Sequence, residues 1–139
     1  MEITANAIQT VASNANVLFT DTVVCGNCAI THRDGSGLVT LRGLTNQCRA
    51  RFRVSFGGNI AIPTGGTVGP ISLAIAIDGE AVATTTMIST PAAVEEYQNV
   101  FSAIFLDVPR GCCMTISVRN TTTQNVEIQN ANLIIERVA

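Results

Sequence analysis

Residues 49–56 read Arg49-Ala50-Arg51-Phe52-Arg53-Val54-Ser55-Phe56, with an arginine at three alternate positions and Ala, Phe, Val and Phe at the others. Two chemistries make such a pattern. Arginines beside phenylalanines can grip phosphates and stack on bases. A half-buried β-strand also alternates, because its side chains point to opposite faces in turn. The rest of the chain favours the strand. Net charge is −2, whereas a general nucleic-acid binder is basic. A single Tyr and no Trp leave too little for a stacking platform. The phenylalanine face is therefore expected to meet a core and the arginine face to point away from it.

Working outward, helix signals are almost missing. No long window carries apolar residues at helical spacing, and Pro91-Ala92-Ala93-Val94-Glu95-Glu96 offers one turn at best. Runs of Val, Ile, Thr and Phe recur between Gly, Asn, Asp and Pro clusters, the pattern of a sandwich or barrel. Strands are expected over 2–11, 16–24, 28–33, 37–43, 47–62, 70–77, 81–89, 97–108, 112–119 and 126–138, the last with a break near Gln129. Arg33-Asp34-Gly35-Ser36-Gly37 and Asp78-Gly79-Glu80 read as tight hairpin turns. Pro63-Thr64-Gly65-Gly66 and Asn120-Thr121-Thr122-Thr123 read as looser loops. No linker, charge block or repeat divides the chain, so residues 1–139 are expected to form one all-β, antiparallel domain.

Composition narrows the class. Hydrophobic residues make up 47% and charged residues 13%, which is globular and not disordered. All eight basic residues are Arg. No stretch of about 20 apolar residues forms a helical membrane span. The first residues lack a basic start and an apolar core, so no Sec signal is visible. The expected route out of the producing cell is lysis or packaging within a particle.

Two strands lack a polar face. In 97–108 one face carries Tyr97, Phe101, Ala103 and Phe105, the other Val100, Ile104, Leu106 and Val108. In 133–138 Leu133 and Ile135 oppose Ile134 and Val138. A strand apolar on both faces needs cover on both sides. One side meets the opposing sheet. The other is expected to meet a second subunit, with a covering loop as the alternative. Tyr97, Phe101, Ile104, Phe105, Leu133, Ile134 and Ile135 are the candidate interface residues. In 71–77 Ile71, Leu73, Ile75 and Ile77 form a large apolar face, opposite the small Ser72, Ala74 and Ala76.

The cysteines number five: Cys25, Cys28, Cys48, Cys112 and Cys113. An odd count excludes complete pairing within one chain. If strands run up and down between two ends, all five gather at one end, with both termini. Free thiols, disulfides and a bound metal all remain open. A lone CxxC at Cys25–Cys28 is weak as a zinc signal. His32 is expected toward the other end of its strand and is not counted as a ligand, so no metal or cofactor is assigned. Redox catalysis would want the pair at a helix start, and no helix follows. No other enzyme signature emerges. Nothing marks an activated nucleophile near His32, Glu95 and Glu96 are expected in a solvated loop, and no Gly-rich loop precedes a helix.

At the C-terminal third, Phe105-Leu106-Asp107-Val108-Pro109-Arg110-Gly111, Met114-Thr115-Ile116-Ser117-Val118-Arg119-Asn120 and Ala131-Asn132-Leu133-Ile134-Ile135-Glu136-Arg137-Val138 resemble the last three strands of C1q/TNF-like jelly rolls, bacterial and phage members above all. The ten-strand count extends the resemblance over the whole chain. Cys48-Arg49-Ala50 and Gly111-Cys112 stand where the family often has Gly-x-Tyr and Gly-Asp. The resemblance implies a ten-stranded jelly-roll sandwich and a compact homotrimer packed through one sheet of each subunit. The function it implies is a non-enzymatic phage virion component, of head-decoration or fibre-knob type. The absence of a preceding shaft favours a decoration protein. Expected partners are further copies of the chain, a capsid protein or a host surface glycan, with no nucleic acid and no membrane. The alternatives are a carbohydrate- or receptor-binding module, and a spore- or cell-surface protein of the same fold.

Overall fold

The computed structural model describes residues 1–139 as two antiparallel sheets packed face to face. The strands are β1 (Glu2–Ala5), β2 (Gln9–Val11), β3 (Asp21–Val24), β4 (Ile30–His32), β5 (Val39–Arg42), β6 (Arg49–Ala61), β7 (Ile71–Ile77), β8 (Glu80–Ala81), β9 (Met87–Ser89), β10 (Gln98–Pro109), β11 (Cys113–Asn120) and β12 (Val126–Arg137). The first sheet runs β10-β6-β12-β1-β3, with β2 also on β12; the second runs β4-β5-β11-β7-β8, with β9 also on β7.

The arginine stretch opens β6. Ala50, Phe52, Val54 and Phe56 are fully buried between the sheets, joined by Phe19, Leu73, Ile116, Leu133 and Ile135 in one hydrophobic cluster. Arg49, Arg51 and Arg53 project outward and are paired. Arg51 donates two hydrogen bonds to Asp107, at 2.8 and 3.1 Å. Arg49 lies 3.0 Å from the same carboxylate, and Arg53 lies 3.5 Å from Glu136. Strand alternation thus accounts for the pattern, with Asp107 and Glu136 as the arginines' partners within the chain.

Two of the ten expected strands are broken, which raises the count to twelve. Segment 2–11 divides into β1 and β2, which pair with different halves of β12. Those halves are separated by a bulge between Gln129 and Asn132, where Asn130 takes φ +54°. Segment 81–89 is interrupted by a single 3-10 turn, Ala83–Thr85. There the buried Thr85 hydroxyl accepts from the Ile75 backbone N–H at 3.0 Å, replacing a strand-to-strand bond. Strand 16–24 begins only at Asp21, because Val17 donates instead to the Val118 carbonyl of the second sheet. Residues 91–96 form no helix: Glu95 takes φ +60° and its N–H donates to Ile62.

The two-residue turn Asp78-Gly79 has φ of +52° and +85°, the double positive that a tight hairpin needs. On the small face of β7, Ala74 and Ala76 are fully buried. Arg119, the cross-strand partner of Ala74, sends its guanidinium to the Gly79 carbonyl at 2.6 Å. No helix is long and apolar enough to cross a membrane.

Candidate functional site

The outer face of the first sheet is built from four neighbouring strands, β10, β6, β12 and β1. Across it, Phe101, Gly57, Asn132 and Thr4 form one row, and Ala103, Ser55, Ile134 and Glu2 the next. A third row is Phe105, Arg53 and Glu136. Phe101 is 64% exposed and Phe105 63%, on one strand and one face, with only Ala103 between them. Ile134 beside them is 39% exposed. Small residues flank the rings: a Cβ at Gly57 would sit 3.7 Å from the Phe101 ring. Beside Phe105 lies a shallow hollow lined by Arg53, Ala103, Ile104, Phe105 and Val138. Two bare rings over small neighbours, next to an apolar hollow, make a surface of knobs and holes.

Beyond Phe105 the face becomes charged. The hydrogen bonds and charge of Arg51, with Arg49 behind it, hold the Asp107 carboxyl below its ordinary range. Toward the other end, the Tyr97 hydroxyl donates to Glu127 at 2.8 Å. Desolvation, reinforced by the bond to Glu127, pushes the phenol up to about 12. Asn99 donates to Asn59 at 3.1 Å. An apolar centre rimmed by satisfied polar pairs is the anatomy of an interface.

The structure reassigns three of the seven interface candidates. Leu133 and Ile135 are at most 1% exposed and belong to the core. Ile104 pairs with Val54, points inward and packs on the core, showing only its edge beside Phe105. The physical reason is parity: in a strand apolar on both faces, half of the residues always face the chain's own core. Phe101, Phe105 and Ile134 occupy the outer face. Tyr97 precedes β10 and is occupied by Glu127. Sequence reasoning missed the small residues Gly57 and Ser55, which give the face its relief. They sit in the arginine stretch and just after it, on the outward parity.

All five cysteines are free and exposed. Backbone bonds link their neighbourhoods: Arg110 donates to the Cys48 carbonyl at 3.0 Å and Gly43 to that of Cys112 at 2.9 Å. The same end holds the N-terminal amine, bonded to Ile135, and Ala139, bonded to Arg51. The expectation that His32 lies away from the cysteines is corrected, because β4 spans only three residues and Cys25 and His32 line one hollow. His32 meets no hydroxyl or thiol: Nε2 bonds the Ser36 carbonyl at 2.9 Å, and Nδ1 has no partner. Nothing there activates a nucleophile.

The opposite end carries the loops. Glu95 accepts from the N–H and hydroxyl of Thr64, at 3.0 and 2.9 Å, which hold its carboxyl below the ordinary range. A mainly polar, solvent-open hollow of about 620 Å³ is lined by Thr10, Thr64, Thr67, Gln124, Asn125 and Glu127, among others.

Neither a protein-family profile nor a curated protein matches this sequence. Solved structures do match in shape. The globular domain of zebrafish complement 1qA protein aligns with 96% of this chain and 93% of its own length, at 11% identity and a TM-score of 0.63. Murine APRIL aligns over 95% and 96%, at 9% identity and a TM-score of 0.60. The chain therefore has a C1q/TNF-like jelly-roll fold.

Proposed function

We propose that the chain is a non-enzymatic interaction module that assembles as a homotrimer through the outer face of its first sheet. The observation that carries this is the pair Phe101 and Phe105, the two largest of the exposed apolar side chains, 64% and 63% bare on one face beside Ile134. A contiguous apolar face on a soluble sandwich marks a contact surface. Its occupant is a second and a third copy, the arrangement that the resemblance to C1q/TNF-like domains implies. Glu136, Asp107 and the arginines at its rim set register between copies, since rim charges give specificity more than affinity.

With that face occupied, the loops at the far end from the termini (63–69, 90–96 and 120–125) are left to meet an outside partner. Within this reading the trimer is a virion component of head-decoration or fibre-knob type, facing a capsid protein or a host surface. A second reading, a glycan-binding head, is favoured by the polar hollow at the loop end. The missing aromatic platform weighs against it.

Light scattering of the native protein, with and without reductant, tests the assembly. Three times the 14.6 kDa of one chain is expected in both conditions. A monomer in both removes the reading. The virion role is tested by gradient fractionation of particles released from producing cells, and recovery of the chain only outside the particle band defeats it.

A further inference from the structure

We propose that the hollow between the edges of β3 and β4 is a site for a zinc-class divalent cation, held by His32 Nδ1, the Asp34 carboxylate and the Cys25 thiolate. The proposal does not depend on the assembly above.

The starting observation is an orphan. The His32 side chain is 0% exposed, and its Nδ1 is the only buried side-chain nitrogen or oxygen without a hydrogen-bond partner. Burying a polar atom unpaired is costly, so such an atom asks for a ligand. The ring is held for that purpose. Nε2 bonds the Ser36 carbonyl at 2.9 Å; a carbonyl only accepts, so Nε2 carries the proton and Nδ1 presents a lone pair. Phe19 packs edge-on against the imidazole, centroids 6.5 Å apart at 78°. A histidine that ligates a metal through one nitrogen commonly donates from the other to a backbone carbonyl, which fixes tautomer and orientation.

Asp34 is prepared in the same way. Its Oδ1 accepts from the Thr22 hydroxyl at 2.7 Å and lies 3.8 Å from His32 Nδ1. Nitrogen and oxygen donors on a tetrahedral zinc stand roughly 3.3 Å apart, so the pair must close by about 0.5 Å. The third donor is the thiol. Cys25 lines the same hollow, of about 450 Å³, with Thr22, Ile30, His32 and Asp34. No three donors yet converge on one point. What is preformed is the His32–Asp34 pair, and the exposed Cys25, on the turn between β3 and β4, swings in to complete it.

Mixed sulfur, nitrogen and oxygen donors select zinc-like ions over calcium or magnesium. Thiolate and carboxylate together balance the charge of a divalent ion, and the thiol proton leaves to solvent on binding. A water can fill the fourth position.

The test uses the full chain with Cys48, Cys112 and Cys113 all changed to Ser, so that the other exposed thiols outside the turn cannot compete. Cobalt(II) is titrated without oxygen as a coloured probe, and zinc affinity is read by chelator competition. One ion per chain is expected, with a thiolate-to-cobalt charge-transfer band and intense visible bands. Zinc should also shift the Nδ1 resonance of the only imidazole. Cys25→Ser should remove the charge-transfer band, and Thr22→Val should weaken zinc by about 10-fold or more. No ion bound at micromolar cobalt, bands that survive Cys25→Ser, or an unmoved Nδ1 resonance each overturns the proposal. The last would mean an ion held by thiols alone, or an imidazole satisfied by Asp34 without metal.

Discussion

Phe105→Ser is the sharpest perturbation of the outer face. Phe105 is 63% exposed in the single chain. A phenylalanine offers roughly 200 Å² of surface, so about 130 Å² waits to be covered. At about 25 cal/mol per Å² that is about 3 kcal/mol per copy, or about 9 in a trimer. Each 1.4 kcal/mol is tenfold, so the trimer dissociation constant should rise by about six to seven orders of magnitude. The concentration at half-dissociation follows its square root and should rise about a thousandfold. Folding of the single chain should change by no more than about 0.5 kcal/mol, because an exposed residue leaves no cavity. Sedimentation over a dilution series reads the first quantity and thermal unfolding under dissociating conditions the second. The reasoning is refuted if the variant holds its trimer mass at the same dilutions as the parent. Loss of folding at constant concentration would equally refute it, by placing the ring in the core.

Adjacent positions on β12 should behave oppositely: Ile134→Asp should lower the native mass with the fold intact, whereas Leu133→Asp should leave little folded protein by circular dichroism. The only tyrosine should titrate near 12 in the native chain, against about 10 once unfolded, when phenolate absorbance is followed. Because the folded value is the higher, the stability held by the Tyr97–Glu127 bond is complete below pH 10 and disappears as pH rises toward 12. Asp107 runs the other way, its carboxyl being lowered by Arg51. Its contribution is present above about pH 4 and fades as pH falls further, so melting curves of Asp107→Asn and the parent should converge in acid. Gly43→Ala should destabilise the chain strongly in denaturant melts, because the new methyl would meet the Pro109 carbonyl oxygen at 2.1 Å.

Period-two patterning made the sandwich legible. Phe52, Val54 and Phe56 announce a buried face and Asp78-Gly79 a hairpin, because both signals are local. The breaks in 2–11 and 81–89 were not legible, since each depends on a partner far along the chain. Thr85 replaces a strand bond only because Ile75 lies opposite it. Two apolar faces were readable in Tyr97–Val108, yet which of them meets the core was not, because the neighbours Leu133 and Ile134 on β12 show that both faces of such a strand carry side chains of one size and polarity. The hollow beside β4 was hidden for the same reason. Cys25 and His32 come together through Thr22 and Asp34, two edges that no spacing rule connects.

The pinning of Met1 against Ile135 leaves residues 1 and 139 within reach of a short peptide bridge, for four residues of extended chain span at most about 14 Å. The molecule is thus close to a closed ring. Joining its ends and reopening it in the 120–125 loop should yield a permuted protein of unchanged shape. Cargo grafted at residue 1 or residue 139 would emerge at the cysteine pole and leave the loop pole unobstructed.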